Sequence, residues 1–325
     1  MPADTVWKGT VVSLLVFVLM ASGNMVRSAD GMPLGWQRSV ARSVAGAFDR
    51  VANFTSLNRP YDWAAEQLGV EQSNREFEFP TTTTVPAAAP SESTTTTTLP
   101  PVRVPTAEAP LRVVVAGDST AKSLGEELQK AVTELPQLQV VVEGKVSTGL
   151  ARSDYFNWGA RLAEIVAEDD PEVVLFMVGA NDGQSILDGD GTIVAQFDRP
   201  NWEAEYRRRI AGIMDLAAGG ARRMIWVGEP NVGTGNVQRA IQIGNRVAEE
   251  EAASRSWVTY FDVAALVAGE DGAYSEFITL PDGSTARCYA GDGVHLSMRC
   301  LDRVMQELVP AITGLYSAEV SRSGP

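Results

Sequence analysis

One histidine, His295, stands in the 325-residue chain, within the string Asp292-Gly293-Val294-His295. A serine hydroxyl is a poor nucleophile at its own pKa and needs an adjacent base, itself oriented by a third group. If an imidazole activates a serine here, His295 is the one candidate base, and Asp292 lies close upstream as its carboxylate. The matching serine is Ser119, in Gly117-Asp118-Ser119-Thr120, directly after the apolar run Leu111 to Ala116. The plainer alternatives are a histidine without a chemical task and a strand-to-helix turn that uses Ser119 only as an N-cap.

Elements that would position these residues are legible from Leu111 onward. Short apolar runs at Leu111–Ala116, Leu138–Val142, Glu172–Val178, Arg223–Val227 and Trp257–Phe261 read as buried strands. Amphipathic segments around Ala121–Glu134, Trp158–Glu168, Trp202–Ala218 and Val237–Ala253, with a last one at Leu301–Leu315, read as helices. That alternation predicts a parallel sheet covered on both faces. Open sheets of this kind bind ligands at the carboxyl ends of their strands. Ser119 follows the first predicted strand, Gly149 the second and Asn181 the third.

Four separated strings then match a known pattern in order and spacing: Gly117-Asp118-Ser119, Gly149 in Ser147-Thr148-Gly149-Leu150, Gly179-Ala180-Asn181-Asp182, and Asp292-Gly293-Val294-His295. In these the chain resembles the SGNH (GDSL-like) hydrolases over roughly residues 111–316. The stretch 147–158 looks like a little-characterised extracytoplasmic bacterial branch of that family. The resemblance implies a flavodoxin-like three-layer α/β/α sandwich with about five parallel strands. It also implies a catalytic set of Ser119, Asp292 and His295, and an oxyanion hole from the Ser119 N–H, the Gly149 N–H and the Asn181 amide. Asp118 is structural on this reading. Arg152, Asp154 and Trp158, which follow the oxyanion glycine, are candidates for substrate binding or for local packing.

The remaining features bound the function. A net charge of −14 excludes nucleic acid as a bulk partner. No Gly-x-x-x-x-Gly-Lys occurs, and no Gly-x-Gly-x-x-Gly follows a strand, so nucleotide binding has no handle. The absence of Gly-x-Ser-x-Gly disfavours the α/β-hydrolase fold. One histidine with two cysteines does not make a usual zinc site, and no metal or other cofactor is expected. Cys288 and Cys300 bracket the Asp292–His295 loop. They are either a disulfide, if the domain lies outside the cytoplasm, or two buried thiols.

The N-terminal third differs in character. Residues 1–30 carry an uncharged apolar stretch at 9–22 behind Lys8, expected as a membrane anchor or, if cleaved, a signal segment. In residues 31–79, Trp36, Val40, Val44, Phe48 and Val51 recur at helical spacing and predict an amphipathic juxtamembrane helix. Residues 80–110, with two threonine runs and prolines at 80, 86, 90, 100, 101, 105 and 110, read as a disordered tether. Residues 317–325 are expected as a tail. The expected function is an extracytoplasmic serine esterase acting on O-acyl, notably O-acetyl, esters of a small molecule or carbohydrate. The alternatives are an O-acyltransferase onto cell-wall carbohydrate that uses the same site, and a catalytically silent glycan- or protein-binding module.

Overall fold

The computed structural model describes residues 102–233 and 235–320, a helix at 36–55, and the scattered positions 16, 18, 19, 22, 25 and 29 before it. Most of the expected membrane segment and most of the tether fall outside the described residues. Among the described residues no helix is long and apolar enough to cross a membrane. By its internal contacts the chain divides into two units, Met1–Asn74 and Arg75–Pro325.

In the first unit, helix α1 (Trp36–Thr55) forms where helical spacing predicts it. Its burial is displaced from the expected stripe. Val40, Val44 and Val51 are about half exposed, whereas Ala45 and Ala52 are buried.

The second unit begins, in its described part, at Val102 rather than after residue 110. Val102 is buried. The Arg103 guanidinium pairs with Glu172 through Nε and, at 2.9 Å, through Nη2, and also donates to the carbonyls of Ala109 and Pro110. A buried valine and a forked ion pair therefore tie 102–110 to the domain, and the expectation of disorder over that stretch is corrected.

From there the chain alternates: β1 (Leu111–Gly117), α2 (Ser119–Ala131), β2 (Leu138–Gly144), α3 (Trp158–Glu168), β3 (Val173–Met177), the short β4 (Ile186–Leu187) and β5 (Ile193–Ala195), α4 (Pro200–Leu216), β6 (Arg223–Val227), α5 (Gly235–Ala253), β7 (Val258–Phe261), α6 (Val263–Leu266), β8 (Phe277–Thr279), β9 (Thr285–Arg287) and α7 (Met298–Val320). The central sheet has the order β2-β1-β3-β6-β7 with every pair parallel.

Period-2 alternation sends each strand's side chains to two cores. On one face Val114, Ala116, Val174, Phe176, Met224 and Trp226 pack against α3, α4 and α5. On the other, Val113, Val115, Leu175, Met177, Ile225 and Val227 pack against α2 and α7. The expected three-layer α/β/α architecture with five parallel strands is the one found. Two short hairpins, β4–β5 and β8–β9, were not expected; with only two or three residues per strand they carry too little pattern to be read.

Candidate active site

The site stands at the carboxyl ends of β1 and β3. Gly117 closes β1 with φ of 143°, and a Cβ there would lie 1.8 Å from the Met177 carbonyl oxygen. Only glycine lets the chain turn this close to β3. The Asp118 N–H then donates to Met177 O at 3.1 Å, and the Asp118 side chain caps α2 by accepting from the Thr120 N–H at 2.9 Å. Ser119 is therefore the first residue of the helix and not its cap. Its N–H belongs to the unpaired donors of a helix start, which favour negative charge.

Ser119 Oγ and His295 Nε2 lie 2.8 Å apart, bridging 176 positions of sequence. On the other side of the ring, His295 Nδ1 and Asp292 Oδ2 are 2.7 Å apart. A carboxylate only accepts, so Nδ1 carries the hydrogen, and Nε2 is left as the acceptor for the serine hydroxyl. Asp292 Oδ1 accepts from the N–H groups of Val294 at 3.0 Å and His295 at 3.1 Å. Burial pushes the Asp292 carboxyl up, but these N–H bonds and the His295 ring outweigh it and hold the group down at about 2. The acid thus stays ionised while holding the ring.

The loop carrying the pair is pinned at both ends. Ala290 N–H donates to His295 O at 2.8 Å and Ser297 N–H to Cys288 O at 2.7 Å. Cys288 and Cys300 form a disulfide with a Cα–Cα separation of 5.3 Å, fully buried in the core beneath α7. Of the two cysteine readings, the bonded one holds.

The proposed oxyanion donors sit on two neighbouring loops. No acceptor lies within hydrogen-bond reach of the Gly149 N–H among the described residues. A Cβ on Gly149 would lie 2.2 Å from Asp182 Oδ1, so this glycine is required by the Asp182 carboxylate behind it rather than by a substrate in front. Asp182, fully buried, accepts from Leu150 N–H at 3.0 Å, Ala151 N–H at 2.8 Å and the Tyr206 hydroxyl at 2.6 Å. Burial raises its pKa, and these donors together with Arg209 counter it. The Asn181 side chain donates to Thr148 O at 2.9 Å and lies 3.5 Å from Asp118 Oδ2.

Of the three residues suggested as substrate contacts, Arg152 and Trp158 are buried in the domain and Asp154 is partly exposed. Arg152 is 4% exposed and pairs with Asp154 at 2.7 and 2.8 Å. Trp158 is 1% exposed, packs edge-on against Phe156 and Phe176, and donates Nε1–H to Thr148 Oγ1 at 3.0 Å. Its contact therefore supports the strand-to-loop turn before Gly149, in which Ser147 takes a left-handed φ of 61°. A side chain this buried braces the loop and offers little surface to a ligand.

Sequence reasoning passed over a buried polar group beneath the loops. Glu229, 1% exposed, follows β6 in Gly228-Glu229-Pro230, and its Oε1 is 2.7 Å from Thr120 Oγ1. Its place after a strand of the central sheet, the same kind of place that singles out Ser119 and Asn181, is the signal that could have found it.

No curated protein matches the chain. Solved structures similar to it include a carbohydrate acetylesterase from Sinorhizobium meliloti at 13% identity, covering 63% of this chain and 99% of that one with a TM-score of 0.44. Another is a GDSL-like lipase from Bacteroides thetaiotaomicron at 17% identity, covering 62% and 88% with a TM-score of 0.44. A third is the C-terminal catalytic domain of peptidoglycan O-acetyltransferase A from Streptococcus pneumoniae at 16% identity, covering 64% and 96% with a TM-score of 0.42. The model of the family described as "Protein of unknown function (DUF459)" matches residues 112–311, more than half of the chain. The chain belongs to that family, described as a protein of unknown function (DUF459).

Proposed function

We propose that this protein is a serine esterase that cleaves O-acyl esters through an acyl-serine intermediate, with Ser119 as nucleophile, His295 as base and Asp292 as its orienting carboxylate. The observation that carries the reading is the continuous contact Ser119 Oγ–His295 Nε2 at 2.8 Å and His295 Nδ1–Asp292 Oδ2 at 2.7 Å. In the first half-reaction Ser119 Oγ bonds to the ester carbonyl carbon while its proton passes to His295 Nε2. The oxyanion faces the Ser119 and Gly149 N–H groups; the Asn181 amide joins them by giving up one of the two acceptors its hydrogens face, Thr148 O or Asp118 Oδ2. Collapse breaks the bond to the alcohol oxygen, which takes the proton from His295. Water then attacks the acyl-serine by the same route, releasing the acid and restoring the hydroxyl.

Hydrolysis is favoured over transfer to a carbohydrate because the base stands open to water: the His295 side chain is 33% exposed and that of Asp292 51%. A transferase would have to keep water from the acyl-enzyme. A small acyl group such as acetyl is part of the proposal. An extracytoplasmic location, with the N-terminal segment as anchor or signal, is part of the proposal. The buried disulfide supports it, since such bonds persist in oxidising compartments.

The test uses 4-nitrophenyl acetate turnover and a serine-reactive fluorophosphonate. Wild type is expected to hydrolyse the ester and to label stoichiometrically at Ser119, and Ser119→Ala and His295→Ala are each expected to lose turnover while remaining folded. Retained turnover in either variant would remove the mechanism. Folded wild type that neither labels nor turns over would leave a binding module.

A further inference from the structure

The Thr120 hydroxyl lies within hydrogen-bond distance of two carboxyl groups, 2.5 Å from Asp118 Oδ1 and 2.7 Å from Glu229 Oε1. A hydroxyl brings one proton, so two contacts of this kind require a second from one of the acids. The surroundings decide which. Asp118 already accepts the Thr120 N–H at 2.9 Å and faces the Gly179 N–H at 3.3 Å and the Asn181 amide at 3.5 Å, the setting of an ionised group. Glu229 has less company: of backbone N–H groups only that of Ala180 faces its carboxyl, and it does not offset the burial. Its Oε2 is buried without a hydrogen-bond partner, and a charged oxygen in that position would go uncompensated.

We propose that Glu229 is a positioning residue: its protonated carboxyl donates to Thr120 Oγ1, so that Thr120 spends its own proton on Asp118 and Asp118 holds both loops of the oxyanion hole. The inference rests on the esterase reading and deepens it. Asp118 joins the first turn of α2, which carries the Ser119 N–H, to the segment after β3, which carries Asn181. If Glu229 were ionised, Thr120 could satisfy only one carboxylate. Two like charges would then face each other across one hydroxyl, and the two loops would lose their common tie.

The rest of the packing leaves Glu229 little freedom. Its N–H donates to Asn245 Oδ1 at 2.9 Å and its carbonyl accepts from Asn245 Nδ2 at 2.8 Å, a clamp from α5. A Cβ on Gly179 would stand 3.0 Å from Glu229 Cγ. The ionisable groups facing the carboxyl are Asp118 and Asp182 from the loops after β1 and β3, with the phenols of Tyr206 on α4 and Tyr260 on β7. Arg209 is engaged with Glu205 at 2.8 Å and with Leu150 O at 2.7 Å. Burial, and next the charge of Asp118, push Glu229 well above the usual carboxylate range, in keeping with a neutral acid.

The experiment compares wild type with Glu229→Gln, which keeps a neutral donor, and Glu229→Met, which fills the space without one. Expected for Glu229→Gln is a fluorophosphonate labelling rate and kcat within about threefold of wild type. Expected for Glu229→Met is a kcat at least about tenfold lower at unchanged KM and undiminished melting temperature, as befits misplaced oxyanion donors. On raising the pH, the wild-type rate is expected to fall as Glu229 ionises, and Glu229→Gln to escape that fall. An infrared carbonyl band of a protonated carboxyl at pH 7, absent from Glu229→Gln, reads the proton without activity. Glu229→Gln as impaired as Glu229→Met, Glu229→Met equal to wild type, or absence of the band would each overturn the assignment. Wild type that fails to label but shows the band would instead defeat the esterase reading and leave the proton on Glu229 intact.

Discussion

The carboxylate of Asp182 makes Gly149 a sharp place to perturb the site from behind. In Gly149→Ala the new Cβ would meet Asp182 Oδ1 at 2.2 Å, about 1.2 Å short of the 3.4 Å at which ordinary contact begins, and Cγ and Oδ2 stand at 2.7 and 2.9 Å. The carboxylate must retreat from the Leu150 and Ala151 N–H groups, or the loop must move away from it. Each hydrogen bond to a charged group contributes about 1.5–3 kcal/mol, so partial loss of two predicts a destabilisation of about 3 kcal/mol. Displacement of the Gly149 N–H predicts a fall in kcat of about 10²-fold, the scale of one lost oxyanion donor. Denaturant unfolding and aryl-acetate turnover measure the two effects on one preparation. A double-mutant cycle isolates the cause: in an Asp182→Ala background the methyl finds room, and the cost of Gly149→Ala is expected to shrink by more than about 1 kcal/mol. Additive losses, or a Gly149→Ala protein as stable and active as wild type, would refute the reasoning.

Further outcomes follow from the same geometry. Asp292→Asn keeps the shape but offers His295 Nδ1 an amide, and kcat is expected to fall by about 10²–10⁴-fold as the ring loses its tautomer preference; an unchanged rate would show that Asp292 does not orient the ring. Replacing Cys288 and Cys300 together by serine opens a loop with a sequence separation of 12 and is expected to cost about 3 kcal/mol by unfolding titration, from chain entropy; stability within about 0.5 kcal/mol of wild type would contradict this. Burial raises Asp118 to about 6 and pushes Glu229 well above the usual carboxylate range, so above that range, until these groups ionise, the folded state holds more protons than the unfolded chain. Stability from these groups is therefore present at low pH and lost as pH rises through that window. Denaturation midpoints from pH 4.5 to 8 should decline less in Glu229→Gln than in wild type, and equal slopes would discount Glu229. Asp292 works in the opposite sense: held at about 2, its contribution is present above its ordinary value of 3.8 and lost as pH falls.

What was legible and what was not divides on physical grounds. The buried strands announce themselves because both faces are covered, so runs such as Val113–Ala116 and Val173–Met177 are uninterrupted apolar text. Ser119 and His295 were legible through their strings and through the scarcity of histidine. The layer beneath them was not. Asp118 and Thr120 at the start of α2, Asp182 after β3, Tyr206 on α4 and Glu229 after β6 come from four places in the chain, and only folding brings them together. In sequence each passes for a cap, a turn former or a helix surface residue. Arg152 and Trp158 show the converse: chemistry-bearing side chains near the Gly149 loop, whose burial makes them braces. The start of the domain also shifted, because proline spacing around 100–110 says nothing about whether Arg103 will find Glu172.

On the proposed mechanism, the separation of 176 positions between Ser119 and His295 has a consequence for the chain as it is made. Synthesis at about 5–20 residues per second leaves roughly 10–35 s between the emergence of the hydroxyl and that of the imidazole. Throughout that interval the serine has no proton acceptor and attacks nothing. On that mechanism a polypeptide that stalls or is clipped anywhere between them lacks its base, so reactivity would arrive only once the sheet it depends upon has been written out in full.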